Sequence, residues 1–252
     1  MGTSAKPAPT VWLHGFMGSG ADWSDVTATL PGEHLAIDLP GHGANIGLPD
    51  AAYTMAGATA QLLATLDAKG WDSVNLVGYS MGGRLALYIA VHHPERIRRL
   101  VLISASPGLK TEAERAARRA VDAERAEAIA ADFDAFLDQW YTLPVFDSLP
   151  DDVAADQARR KRANDPHELA KSLRFMGTGS QPSLSPRLAD VAMPTTLILG
   201  ARDAKFIHIA QAMKAANDAF DLRVIAKAGH MVHIEQPQAL IREVLSVTSQ
   251  ER

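Results

Sequence analysis

The run Gly78-Tyr79-Ser80-Met81-Gly82 restricts the fold of this chain more than any other feature of its sequence. A β-rich apolar stretch, "SVNLVGYS" (73–80), leads into it, and an apolar helix-forming stretch, "MGGRLALYIAVHHP" (81–94), leads out. In that context G-x-S-x-G marks a sharp strand-to-helix elbow that lifts one serine hydroxyl above the carboxyl edge of a parallel sheet. The outgoing segment is apolar nearly all round from Leu85 to Val91, so it should be buried against that sheet. Arg84 breaks the pattern. A cation in the first turn of a helix sits at the end of the macrodipole that favours anions, so a negative group is expected beside it.

The rest of the chain supplies the sheet. "TVWLHGF" (10–16), "HLAIDLPG" (34–41), "IRRLVLISA" (97–105), "TTLILG" (195–200) and "DLRVIAKAGH" (221–230) read as further strands. Between them, 53–70, 81–94, 206–217 and 237–250 read as helices, a βαβ alternation that builds a parallel sheet. From 107 to about 186 the alternation stops: no convincing strand appears, and 111–141 and 151–164 read as helices rich in alanine. The predicted architecture is therefore α/β, a mostly parallel sheet flanked by helices. Its core is in two parts, 1–106 and 187–252, with a helical cap inserted at 107–186. With 47% hydrophobic and 21% charged residues the chain can bury a packed core.

Composition narrows the function. A net charge of -4 gives no general field for nucleic acid or an anionic membrane, and the lack of cysteine removes thiolate catalysis and disulfides. No stretch is long and apolar enough to span a bilayer and the first residues lack a signal-peptide core, so a cytoplasmic protein is expected. "HGFMGSG" (14–20) follows a strand but matches neither glycine-rich nucleotide motif, and no H-E-x-x-H occurs. His230-x-x-His233-x-Glu235 has no helix carrying two ligands one turn apart, so no metal is expected there.

A displayed serine needs a base and a group to orient it, in the chain order Ser, acid, His. Asp203 follows the strand 195–200 and His230 closes the strand 221–230, both at carboxyl strand ends where α/β sheets bind ligands. His34, His92, His93 and His208 are placed as packed or solvated residues. The backbone N–H groups of Phe16 and Met81 would form an oxyanion hole, each donor worth about 3 kcal/mol at a developing negative charge.

"WLHGFMGSG", "DLPGHG", "GYSMGGR", "SPGL" with its arginine-rich helix, "WYTLPVF", "SLRFMGTGSQPSL", "GARDAKF" and "AGHMVH" together resemble the α/β-hydrolase superfamily. Within it they resemble the 2-succinyl-6-hydroxy-2,4-cyclohexadiene-1-carboxylate (SHCHC) synthases of menaquinone and phylloquinone biosynthesis. The resemblance implies a 2,5-elimination of pyruvate from a small cyclohexene polycarboxylate, with no metal and no organic cofactor. It also implies substrate contacts from Tyr79, Arg84, Arg118 and Trp140. A further arginine is implied in "RRKRAN" (159–164), where Arg162 is taken and Lys161 is the alternative that spacing leaves open. Two features depart from the pattern: little chain precedes Thr10 for the usual opening hairpin, and Ser185 stands where an aromatic is expected. The triad is equally compatible with a serine esterase or carbon–carbon hydrolase working through an acyl-enzyme, and the fold with a non-catalytic ligand receptor. Oligomeric state is not legible.

Overall fold

The computed structural model describes residues 8–248. Six strands, β1 (Thr10–Leu13), β2 (His34–Ile37), β3 (Val74–Tyr79), β4 (Ile97–Ile103), β5 (Thr195–Gly200) and β6 (Asp221–Ile225), form one sheet in the order β2-β1-β3-β4-β5-β6. All five pairings are parallel. The expectation about an opening hairpin falls largely on residues 1–7, outside the described range. The chain runs from β1 out to β2 and then returns across β1 to β3, so the strand order reverses between β1 and β3. Loops leaving the carboxyl ends of neighbouring strands diverge at such a point and open a crevice.

Side-chain alternation sets the two faces. Val11, Leu13, Leu76, Leu100, Leu102, Leu197 and Leu199 pack on one side with α2 (Met55–Ala68) and α3 (Met81–His92). Trp12, Val77, Tyr79, Val101, Ile103 and Ile198 pack on the other with α10 (Pro237–Thr248). β1, β3 and β5 are buried along their whole lengths, as interior strands covered on both faces must be. α3 is buried from Met81 to Leu87 and again from Ile89 to Val91, which accounts for its apolar circumference. α8 (Ala204–Ala216) covers β5 and β6, and two single-turn helices, α1 (Ser24–Thr27) and α9 (Val232–Glu235), follow β1 and β6.

Between β4 and β5 lie four helices: α4 (Glu112–Ala131), α5 (Phe133–Trp140), α6 (Asp151–Lys161) and α7 (Pro166–Met176). The single helix expected over 111–141 is two helices. Asp132 takes an extended conformation (φ -153°, ψ 91°) and its carboxylate accepts the Ala135 N–H at 3.0 Å, capping a new helix in a new direction. α4 opens on a capping box in which the Thr111 hydroxyl accepts the Glu114 N–H and the Glu114 carboxylate accepts the Thr111 N–H. α7, over residues for which the sequence pattern predicts no helix, starts with Asp165 as cap and Pro166 in the first turn. Ala126, Ile129, Phe136, Leu137, Ala158, Leu169 and Leu173 make a core of their own that closes on Met17 from the β1 loop. Among the described residues no helix is long and apolar enough to cross a membrane.

Candidate active site

Ser80 sits between β3 and α3 with φ 48° and ψ -107°, a conformation in which a non-glycine residue is strained. The strain is tolerated because the turn is over-determined. The Ser80 N–H donates to the Ile103 carbonyl at 2.9 Å, and the Ser80 carbonyl accepts the Arg84 N–H at 3.0 Å. The two flanking glycines allow the approach: a Cβ on Gly78 would lie 2.5 Å from the Gly82 carbonyl oxygen, and one on Gly82 would lie 2.5 Å from the Leu13 and His14 carbonyl oxygens. No side chain fits at either place.

The strand ends then converge on this serine. Asp203, after β5, uses one carboxylate oxygen to accept the Phe206 N–H at 3.2 Å at the start of α8, and its other oxygen lies 2.7 Å from His230 Nδ1. With Nδ1 donating its proton to that oxygen, Nε2 carries the lone pair, and it faces Ser80 Oγ at 3.2 Å. The imidazole is held between the rings of Phe206 and Tyr79, at 4.6 and 5.4 Å. Ser80, Asp203 and His230 are thus joined in one hydrogen-bonded line with the acid and the base both buried. His233 and Glu235 are engaged elsewhere. The Glu235 carboxylate accepts the Gly229 and Met231 N–H groups, while His233 packs on Tyr79 at 4.4 Å. Among the described residues no group of three or more His, Asp or Glu is gathered about a metal-sized space.

The residues expected to supply the oxyanion donors, Phe16 and Met81, line the cavity beside Ser80. The N–H of Met81 is the first of α3, which the helix itself leaves without a partner, and Phe16 lines the same cavity from the β1 loop. Two histidines brace this loop. His14 Nε2 accepts the Leu39 N–H at 3.0 Å and its Nδ1 lies 2.7 Å from the Gly15 carbonyl. His42 Nε2 accepts the Met17 N–H at 3.1 Å and its Nδ1 lies 3.1 Å from the Pro40 carbonyl. Each ring needs one bare nitrogen to accept and one N–H to donate, so both are neutral.

Burial agrees with that assignment. It pulls His14 down to about 4 against the opposing pull of the Gly15 carbonyl, and it depresses His42 well below the usual histidine range. His233 is lowered to about 3 for the same reason, with Asp22 opposing. Because the unfolded rings titrate near 6.5, the unfolded chain takes up these protons first. Stability is therefore complete above about pH 6.5 and falls as the pH drops towards the folded values, by up to about 1.4 kcal/mol per pH unit for each group. Thermal melts from pH 7.5 to 4.5 are expected to show a steep loss of Tm below pH 6.5, and a flat profile would contradict neutral, buried imidazoles.

Above the triad, between sheet and cap, lies a cavity of about 1360 Å³. Arg84 reaches its wall and is 9% exposed. Its guanidinium donates to the Gln181 side-chain oxygen at 2.9 Å and to the Met176 carbonyl at 3.0 Å, both neutral acceptors. Burial, and then repulsion from Arg118, lower it to about 10, so it remains charged at neutral pH. Arg118 also lines the cavity, its Nε donating to Asp122 at 2.7 Å. Tyr79 is buried beneath the serine, and burial raises its phenol well above the ordinary value, so the hydroxyl keeps its proton. Trp140 stands on the cap side with its ring 5.7 Å from that of Phe16. Ser185 is on the wall as well.

Arg162 does not line this cavity. It lies past the end of α6 on the outside of the cap, with its Nε 2.6 Å from Asp134 and one Nη 3.6 Å from Asp138. The preceding residue, Lys161, points inward, is 6% exposed and pairs with Asp22 at 2.9 Å. One residue along a helix turns a side chain by about 100°, so the inward position belongs to Lys161 and the outward one to Arg162. Asp22, its partner, would be raised by burial but is held below the usual carboxylate range by Lys161. Sequence reasoning missed Asp22 and also Arg125, which lines the cavity from α4. The signal for Arg125 was present in its seven-residue spacing from Arg118, two turns along one helix face.

A family model described as alpha/beta hydrolase fold matches residues 9–237. A Yersinia pestis protein named 2-succinyl-6-hydroxy-2,4-cyclohexadiene-1-carboxylate synthase is 36% identical, over 95% of this chain and 87% of its own length. One of the same name from Serratia proteamaculans is 34% identical, over 93% of this chain and 90% of its own. Among solved structures, MenH from S. aureus superposes with a TM-score of 0.90 at 34% identity, covering 97% of this chain and 94% of that one. The chain belongs to the α/β-hydrolase superfamily and, within it, to the SHCHC synthase family.

Proposed function

We propose that this protein is a lyase that converts 2-succinyl-5-enolpyruvyl-6-hydroxy-3-cyclohexene-1-carboxylate to SHCHC and pyruvate, with Ser80 as the base. One observation carries the reading: the Ser80–His230–Asp203 line opens into the same cavity as two arginines, the buried Arg84 and the half-buried Arg118. The ring proton at C2 is α to the succinyl ketone and allylic to the ring double bond, so its loss gives a stabilised enolate. His230 takes the Ser80 proton, and Ser80 Oγ then takes the proton from C2. The C2–H electron pair forms the C2–C3 double bond, the original double bond shifts to C4–C5, and the C5–O bond breaks. Pyruvate leaves as its enolate, whose methylene carbon takes up the proton held on His230. The balance is substrate to diene plus pyruvate, with no water added and no acyl-enzyme.

The fixed donors match the charge that moves. In this reading the Phe16 and Met81 N–H groups receive the enolate oxygen of the succinyl ketone, preorganised where water is excluded. The cations bind the carboxylates, and a guanidinium does so with two parallel hydrogen bonds. The partner is thus a small polyanion, with no nucleic acid or membrane required, and we place the reaction in the cytoplasm. The test is pyruvate release, followed through a coupled dehydrogenase, from the enolpyruvyl cyclohexene. The expected result is turnover well above the spontaneous rate. Spontaneous release alone, together with turnover of a nitrophenyl ester and a fluorophosphonate adduct on Ser80, would assign an ester hydrolase instead.

A further inference from the structure

The cavity contains more positive charge than Arg84 and Arg118 provide, and the surplus is unevenly neutralised. Lys161 is already answered by Asp22 at 2.9 Å, and the two form a closed pair. Arg118 spends its Nε on Asp122 and keeps its remaining donors. Arg84 rests on two neutral oxygens. Arg125 lines the same wall, and among the described residues it makes no ion pair; its guanidinium carbon lies over the Trp140 ring, 5.7 Å from the centroid. It is half-buried, and burial followed by repulsion from Arg118 lowers its pKa. Stacking on an indole fixes the plane of a guanidinium and leaves its donor edge free to fork onto a carboxylate.

The substrate has three carboxylates: one on the ring, one on the enolpyruvyl group and one ending the succinyl arm. Four guanidiniums line the cavity; Arg202 is exposed, and the other three, the buried Arg84 and the half-buried Arg118 and Arg125, lack a full complement of acid partners among the described residues. With the succinyl ketone at the N–H groups of Phe16 and Met81, an arm that runs along the Phe16 side meets Trp140 next. Trp140 touches Phe16, with ring centroids 5.7 Å apart, and Arg125 lies over Trp140. α4 rises about 1.5 Å per residue, so Arg125 stands roughly 10 Å along one helix face from Arg118. The two therefore serve different carboxylates.

We propose that Arg125 is a specificity-determining residue that binds the terminal carboxylate of the succinyl arm, a role that Lys161, held by Asp22, does not fill. This inference rests on the lyase reading. Arg125→Gln is expected to raise KM for the tricarboxylate by about 10- to 100-fold, the loss of one charge-assisted hydrogen-bonded contact, with kcat nearly unchanged. The same variant should show no such penalty against an analogue whose succinyl carboxylate is replaced by a carboxamide, and Arg125→Lys should recover part of the KM. A thermal melt equal to that of the unaltered protein accompanies these results if the role is in binding. An unchanged KM in Arg125→Gln, or an equal penalty on substrate and carboxamide, overturns the inference while leaving pyruvate release intact. No pyruvate from the unaltered protein overturns both this inference and the reading beneath it.

Discussion

Ser80→Ala is expected to lower kcat for pyruvate release by about 10³- to 10⁴-fold while changing KM little. The hydroxyl is the only atom lost, and the elbow that strains position 80 is held by backbone bonds and by the close approach of Gly78 to Gly82, which the substitution leaves alone. The arginines and the oxyanion donors remain in place, so the substrate still binds. What disappears is the group between His230 and the ring proton, and the 3.2 Å between Nε2 and Oγ becomes a gap that the imidazole cannot bridge without moving. His230→Ala should cost a similar factor, and the double variant little more, because the two act on one proton in series. Retention of most of the rate in Ser80→Ala would remove the serine from the chemistry. Single-turnover kinetics would distinguish a change in the chemical step from slow product release.

Arg84→Ala is the second large effect, expected at about 3 kcal/mol in binding and transition-state energy, or roughly 100-fold in kcat/KM. The guanidinium is charged, buried and satisfied on the protein side by neutral oxygens only, so the carboxylate of a ligand is its natural counter-charge. That also answers why a cation stands in the first turn of α3. Removing it leaves the Gln181 and Met176 acceptors without their donor, at a stability cost of about 1–3 kcal/mol. Stability and catalysis therefore have to be measured together, the first by thermal melting. Arg84→Lys should not restore kcat/KM, since a point charge cannot reproduce a two-pronged contact. Against analogues in which each substrate carboxylate in turn is replaced by a carboxamide, the Arg84→Ala penalty should disappear for one of them. An equal loss on the substrate and on every analogue would mean that Arg84 supports the elbow and not the ligand.

The fold was legible because its signals are local. The six strands are short apolar runs that alternate with helices, and the elbow is a five-residue pattern whose glycines answer contacts of 2.5 Å. Asp203 and His230 were legible because topology fixes them at strand ends, next to the elbow. The cap was harder. Its helices could be recognised by composition, but the break at Asp132 depends on one cap residue in an extended conformation, and α7 is set apart by Asp165 and Pro166. Register was hardest of all. Whether Lys161 or Arg162 faces inward depends on how α6 packs against Asp22, a residue more than a hundred positions earlier, and a run of basic residues has no periodicity to show it. His14 and His42 were invisible as braces for the same reason: each pairs with backbone groups brought together by the sheet and its loops.

The central claim is that Ser80 removes a ring proton and forms no bond to carbon. The most direct measurement is a single-turnover comparison of substrate carrying hydrogen or deuterium at C2, with the intact mass of the protein followed during the reaction. The account predicts that deuterium slows pyruvate release several-fold and that the protein mass never changes. An isotope-independent rate accompanied by a covalent adduct on Ser80 would contradict it.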